Sequence, residues 1–272
     1  MKITFESALV TGSSGGLGRA IAIKLAQEGV RNLGIHYMAR RREAEKTLAM
    51  VREAGADGVL VQGDTSDAAR AQTVVEEAAQ RLGGCDIFIQ SAVPAFGKIY
   101  EHALATQVPL EKWQLGFDQQ ARAFFVGAPI AAKRMRNGGR ILALTYKPGG
   151  ATGGWQPWVG MGSAKAALES MCRYFAVALA RDRITVNAVS PFTADASTLF
   201  GQLPPSAQEA MKEWASSGWA PMKQYPAAAD VANVCALLCS EEASFVTGQT
   251  IAVDGGSSLM NPDFPLALQV PG

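Results

Sequence analysis

The sequence predicts an α/β protein: a single Rossmann-type, doubly wound parallel β-sheet with helices on both faces. Three observations carry that prediction. Short apolar segments alternate with segments whose apolar residues recur at helical spacing, and the first strand-to-helix passage runs through a glycine-rich turn. No internal repeat, low-complexity tract or linker divides the 272 residues, so one domain, 1–272, is expected. At 48% hydrophobic and 18% charged residues, the chain is apolar enough to fill its core.

Each element follows in order. Residues 7–10 read as a short buried strand, 11–18 (TGSSGGLG) as the turn, and RAIAIKLAQEG as a helix that Gly29 ends. The alternation continues through strand 32–37, helix 43–54, strand 58–62, helix 68–82 and strand 85–90. A long helix over 110–135 leads to strand 140–145, and a helix over 161–180 leads to strand 185–189. Helix 230–239 and strand 250–253 complete the pattern. Strands separated by helices pair in parallel through right-handed crossovers. The stretch 192–226, with Pro204, Pro205, Gly218 and Pro221, reads as an irregular lid over the site. The apolar, proline-broken tail 258–272 is expected to pack on its own or a neighbouring subunit.

Composition excludes several function classes. A net charge of +1 without a stripe of lysines and arginines gives no pull toward nucleic acid. No apolar run reaches the roughly 18 residues a membrane span needs, and the start MKITFESALVTG has no basic segment leading into an apolar one, so a cytoplasmic protein is expected. Four scattered cysteines and two histidines predict neither a disulfide framework nor a metal site. Cys235 and Cys239 share a helix face and read as small core residues.

The glycine turn is the first piece of chemistry. Its glycines permit a tight bend and let the backbone approach a pyrophosphate, whose charge then lies at the amino end of the following helix. Because the turn follows a strand and opens a helix, Gly12, Ser14, Gly16, Leu17 and Gly18 are candidate contacts for a dinucleotide. The second strand runs into Arg40, Arg41 and Arg42, with no acid placed to grip a ribose diol. Arginines pair with a 2′-phosphate through charge-assisted bonds, and their cluster opposes the dipole of the helix it opens. NADP(H) is therefore favoured over NAD(H), with Arg40 and Arg41 as contacts.

TGSSGGLG, Asp64 in QGDTSD, the helix bearing Lys165, VNAVSP and TGQTIAVDGG together resemble the short-chain dehydrogenase/reductase family over nearly the whole chain. AKAALESMCRYFAVALARDRITVNAVS with GQTIAVDGGSSL is most similar to the enoyl-thioester reductase branch, which acts on acyl carrier protein or coenzyme A thioesters. The resemblance implies a nicotinamide cofactor and a homotetramer. By matching position, Asp64 and Thr65 would contact adenine, Ser91 and Ala92 the cofactor, Lys165 the nicotinamide ribose, and Pro191 to Thr193 the nicotinamide. It also implies a substrate pocket of Val93, Pro94, Phe96, Tyr146, Trp158, Met161 and Phe192.

The chain departs from the family pattern at the chemistry itself. Gln90-Ser91-Ala92-Val93 replaces Asn-Asn-Ala-Gly, Gln120 stands for an asparagine, and Tyr146 for the usual serine. Carbonyl reductases place a tyrosine four residues before the lysine, where this chain has Met161; enoyl reductases of the branch place it seven before, where it has Trp158. Ketone reduction forms an alkoxide that needs a positioned acid, which methionine cannot be. Enoyl reduction forms an enolate whose oxygen needs only hydrogen-bond donors, and an indole N–H is one. The expected activity is thus NADPH-dependent reduction of an α,β-unsaturated acyl thioester, with Lys165 positioning the cofactor, Trp158 or Tyr146 holding the oxyanion and Gln120 in support. Two alternatives stay open: a dinucleotide-binding protein without redox turnover, and a 3-oxoacyl reductase using Tyr146.

Overall fold

Seven strands form one sheet in a computed structural model that describes residues 1–146, 154, 156–191, 201, 203–260, 263 and 266–269, the side chains of 267 and 268 excepted. They are β1 (Ser7–Val10), β2 (Asn32–Tyr37), β3 (Asp57–Gln62), β4 (Ile87–Gln90), β5 (Gly139–Leu144), β6 (Ile184–Pro191) and β7 (Thr250–Val253). Their spatial order is β3-β2-β1-β4-β5-β6-β7, and every neighbouring pair is parallel. The helices are α1 (Gly16–Gln27), α2 (Arg41–Glu53), α3 (Ala68–Leu82), α4 (Phe96–Ile99), α5 (Leu110–Phe117), α6 (Ala123–Ala132), α7 (Val159–Leu179), α8 (Pro205–Trp214), α9 (Ala228–Cys239) and α10 (Leu266–Gln269).

The central strands are apolar throughout because both faces of the sheet are covered. Ala8, Val10, Ile87, Ile89 and Leu142 pack toward α1, α2 and α9, whereas Leu9, Phe88, Ile141 and Ala143 pack toward α3, α6 and α7. Each such Leu, Ile or Phe contributes about 1.5–3 kcal/mol of burial. The strand order reverses beside β1, where Val10 pairs with Ile35 on one side and Ile89 on the other. The carboxyl ends of β1 and β4 therefore open a crevice of the kind in which α/β sheets bind ligands.

The structure corrects two sequence expectations. The helix expected over 110–135 is α5 and α6 joined by a π-helical turn, Asp118–Arg122, and it ends at Ala132. Hydrophobic periodicity cannot register one extra residue in a turn, which is what a π-bulge is. The stretch 192–226 is not wholly irregular, since α8 begins with Pro205 at its first position, where proline is at home. Residues 192–200 of that stretch, and with them Phe192 and Thr193, lie outside the described residues, as does much of the tail. Of the tail, Leu266 lies against Gly218 of the same chain. Among the described residues, no helix is long and apolar enough to cross a membrane, and no group of His, Cys, Asp or Glu is placed to hold a metal.

Two glycines set the approach of α5 to α7 at the edge of the crevice. A Cβ on Gly160 would fall 3.0 Å from Trp113 Cα, and one on Gly116 would fall 3.3 Å from the Gly160 carbonyl. The crossing is fastened by Trp113 Nε1, which donates to Ser163 Oγ at 2.9 Å. Gly160→Leu must push the helices apart, so it should cost about 1–3 kcal/mol in denaturant unfolding despite the better helix propensity of leucine. An unchanged unfolding midpoint would show that the crossing does not depend on close contact.

Candidate functional site

The glycine turn is locked in place from three directions. Gly12 has φ +67°, and a Cβ there would fall 2.6 Å from Ala92 Cα; a Cβ on Gly18 would fall 2.6 Å from the Gly12 oxygen. Glycine at both positions is a steric requirement. Thr11 Oγ1 accepts from the N–H groups of Ser91 and Ala92, both at 3.0 Å, so the end of β4 is held to the end of β1. Ser13 Oγ donates to the Val10 oxygen and accepts from His36 N.

His36, at the end of β2, is the third anchor, and sequence reasoning missed it. Its Nδ1 accepts from Gly12 N at 2.9 Å, so the proton is on Nε2, which donates to the Gly63 oxygen at 3.0 Å. The ring is buried, and burial brings its pKa down to about 4. As one of only two histidines, next to a predicted strand end, its position was the one available signal.

The second half of the site is built around Lys165, which is 4% exposed. Its ammonium donates to Gln120 Oε1 and to the Leu144 carbonyl at the end of β5. Gln120 in turn donates to the Ala92 oxygen at 2.7 Å. The π-turn makes this possible by turning Gln119 and Gln120 both into the protein. Burial pushes the Lys165 ammonium down to about 7, while Glu169, one turn further along α7, acts against that shift. Glu169 is itself buried and accepts from Thr145 Oγ1 at 2.5 Å.

These two halves enclose a cleft of about 310 Å³. Of the expected cofactor contacts, Gly12, Ser14, Leu17, Gly18 and Arg40 line it, as do Thr65, Ser91, Ala92, Lys165 and Pro191. Gly16, the first residue of α1, is outside the lining, and Arg41 pairs with Glu45 at 2.9 Å. Asp64 is exposed and outside the lining; its Oδ1 accepts from Ser66 and from Gln119 Nε2. Gln119, also missed in the sequence, lines the cleft with a buried Oε1 that has no partner among the described residues. The expected substrate-pocket residues Val93, Pro94, Phe96, Tyr146, Trp158 and Met161 line the other end. There Trp158 is 6% exposed and its ring centroid stands 5.5 Å from that of Phe96, which stacks on Tyr100 at 4.5 Å. Burial raises the pKa of Tyr146, so its hydroxyl stays a donor at neutral pH.

A glycine loop at the switch point of a parallel sheet, steps away from a buried lysine and an apolar wall, defines the site of a dinucleotide-dependent oxidoreductase. The backbone fits that group: Gly12 and Gly18 leave no room for a side chain, and the amino end of α1 faces the cleft. Residues 12–258 match the family model described as enoyl-(acyl carrier protein) reductase. The chain is 33% identical over 266 residues to 1-cyclohexenylcarbonyl-CoA reductase of Streptomyces collinus, covering 95% of this chain and 89% of that one. It is 29% identical to a 3-oxoacyl-[acyl-carrier-protein] reductase of Staphylococcus aureus, covering 94% of this chain and 99% of that one. The crystal structure of angucycline C-6 ketoreductase LanV with bound NADP superposes with a TM-score of 0.82 at 26% identity, over 96% of this chain and all of that one. The chain belongs to the short-chain dehydrogenase/reductase family.

The His36 anchor makes the site acid-sensitive. The unfolded histidine titrates near 6.5 and the folded one near 4, so the unfolded state binds the extra proton first as pH falls. The stabilisation is fully present above about 6.5 and is lost between there and about 4, amounting to about 3 kcal/mol. Unfolding free energy measured across this window should fall less steeply in His36→Asn than in the unsubstituted protein. Identical slopes would remove His36 from the account.

Proposed function

We propose that the protein is an NADPH-dependent reductase of the C=C bond of an α,β-unsaturated acyl thioester. The observation that carries this reading is the pairing of buried Lys165 with Trp158, Tyr146 and Met161, and no tyrosine four residues before the lysine. Bound in the cleft, the dinucleotide supplies a hydride. Lys165 would hold its ribose hydroxyls, Ser91, Ala92 and Pro191 would meet its nicotinamide end, and Thr65 with Gln119 would meet its adenine end. Hydride adds to the β-carbon, and Trp158 Nε1 or the Tyr146 hydroxyl donates to the thioester oxygen as the enolate forms, which lowers the barrier. The α-carbon then takes its proton from solvent. Likeness to the Streptomyces collinus relative supports coenzyme A as the carrier, and metabolism of the fatty-acid or polyketide type is part of the same proposal.

The first test compares NADPH consumption with a 2-enoyl and a 3-oxoacyl coenzyme A thioester. Turnover of the enoyl substrate is expected; turnover of the oxo substrate alone would assign ketone reduction with Tyr146 as acid, and turnover of neither, over a broad panel, a dinucleotide-binding protein without redox chemistry. With an accepted enoyl substrate, Trp158→Phe should lower turnover about 10²- to 10³-fold if the indole is the donor. If Tyr146 is the donor, that loss appears in Tyr146→Phe instead. A few-fold effect in both would discard both assignments.

Cofactor choice rests on Arg40, which lines the cleft and forms no ion pair among the described residues. Arg40→Ala should weaken NADPH binding by about 1.5–3 kcal/mol and leave NADH binding unchanged. Equal affinity for both cofactors in the unsubstituted protein would sink the preference.

A homotetramer is part of the same proposal. Phe125 (59% exposed), Tyr174 (76%) and Val177 (81%) lay an apolar strip along α6 and α7 that supports self-association. Light scattering at micromolar concentration should return a multiple of the 28.7 kDa chain; a stable monomer would decide against it.

A further inference from the structure

The amino ends of the strands carry a second cleft, on the opposite edge of the sheet from the dinucleotide site. Its volume is about 990 Å³, and Arg134, Arg136, Arg140 and Arg183 line it. Arg140, at the start of β5, is 4% exposed. It donates to the Gly139 and Ser240 oxygens at 3.0 and 3.2 Å and stands 4.8 Å over the ring of Phe5. Its Nε is buried without a partner, and so is Oγ1 of Thr185, the residue paired with it across β5 and β6. Among the described residues, none of the four arginines is within ion-pair distance of a carboxylate.

The acids that share the cleft are engaged elsewhere or lie on its rim. Asp86 Oδ2 accepts from Ser7 N, Ser7 Oγ and Glu6 N. Glu241 Oε1 accepts from Thr4 Oγ1 and acts on Arg140 only through space, and Glu6 is on the rim. A buried guanidinium without an ion-pair contact is costly, and proteins as a rule pair such groups. Arg183 adds a backbone cost: its φ of +58° is left-handed, a conformation that costs a residue with a Cβ about 1–2 kcal/mol and that Gly or Asn would take more easily. Arg183 lines the cleft together with Arg140.

We propose that this cleft is a binding site for a small diphosphate-bearing anion, held by Arg134, Arg136 and Arg183 over the buried charge of Arg140. Planar, bidentate donors in this number suit phosphate oxygens. Phe245, fully exposed at the rim, offers a face for a nucleoside base. The strands that end at the catalytic crevice begin here, so the ligand is an effector and does not meet the substrate.

The test is calorimetric titration of the NADPH-saturated protein with ADP and, separately, with inorganic pyrophosphate. Binding of either, weakened at least tenfold in both Arg136→Ala and Arg183→Ala, supports the site. Both residues are exposed, so their loss leaves the core intact, and circular dichroism checks this. Tighter binding of ADP that is lost in Phe245→Ala identifies a nucleotide; equal affinity for pyrophosphate identifies the diphosphate as the whole ligand. No binding of either probe at millimolar concentration overturns the proposal. So does ADP binding that survives both arginine variants, or that vanishes as NADPH is raised, since that ligand would be in the dinucleotide cleft.

Discussion

A lysine ammonium taken out of water has to find acceptors for its hydrogen bonds in the protein, and the arrangement around Lys165 follows from that demand. Burial lowers its pKa to about 7, so its charge is held only by what surrounds it. Gln120 and the end of β5 supply oxygens, and Glu169 supplies an opposing charge one turn along the same helix. Gln120 lies in the π-turn, Asp118–Arg122, with its side chain buried. Gln120 also grips Ala92, so the lysine is tied to the end of β4 and through it to the glycine turn.

The glycine turn obeys a second constraint, which is steric. Gly12 lies so close to Ala92 that the two loops lining the crevice are positioned by contact, and Thr11 and His36 then fix them by hydrogen bonds. Neutral imidazole suits this role because it accepts from one loop and donates to another at once. The two constraints meet at Ala92, which touches the turn on one side and Gln120 on the other. A dinucleotide spanning the cleft is therefore received by walls braced against each other before it arrives.

The fold was legible because alternation of strand and helix is a pattern of period, and period is visible in one sequence. The glycine turn was legible because its tight bend demands glycine after a strand and before a helix, and Lys165 was singled out through the family resemblance. What could not be read depends on a single rotation or pairing. One inserted residue makes the π-turn and sends Gln119 into the cleft; a pairing with Glu45 withdraws Arg41 from it. His36 looked like an ordinary strand residue because its partners, Gly12 and Gly63, are distant in sequence. Helix α8 was obscured by the prolines and glycine around it, although Pro205 is its first residue.

In the proposed reaction Trp158 or Tyr146 donates to the oxygen while Met161 stands where a tyrosine four residues before Lys165 would be, and the proposal turns on the difference between enolate and alkoxide. It is tested most directly by the destination of the hydride. NADPH carrying deuterium at the transferred position is incubated with a mixture of 2-enoyl and 3-oxoacyl coenzyme A thioesters, and the products are read by mass spectrometry and NMR. The account predicts deuterium at the β-carbon of a saturated acyl thioester. Deuterium at the carbinol carbon of a 3-hydroxyacyl thioester, with the enoyl substrate untouched, would contradict it.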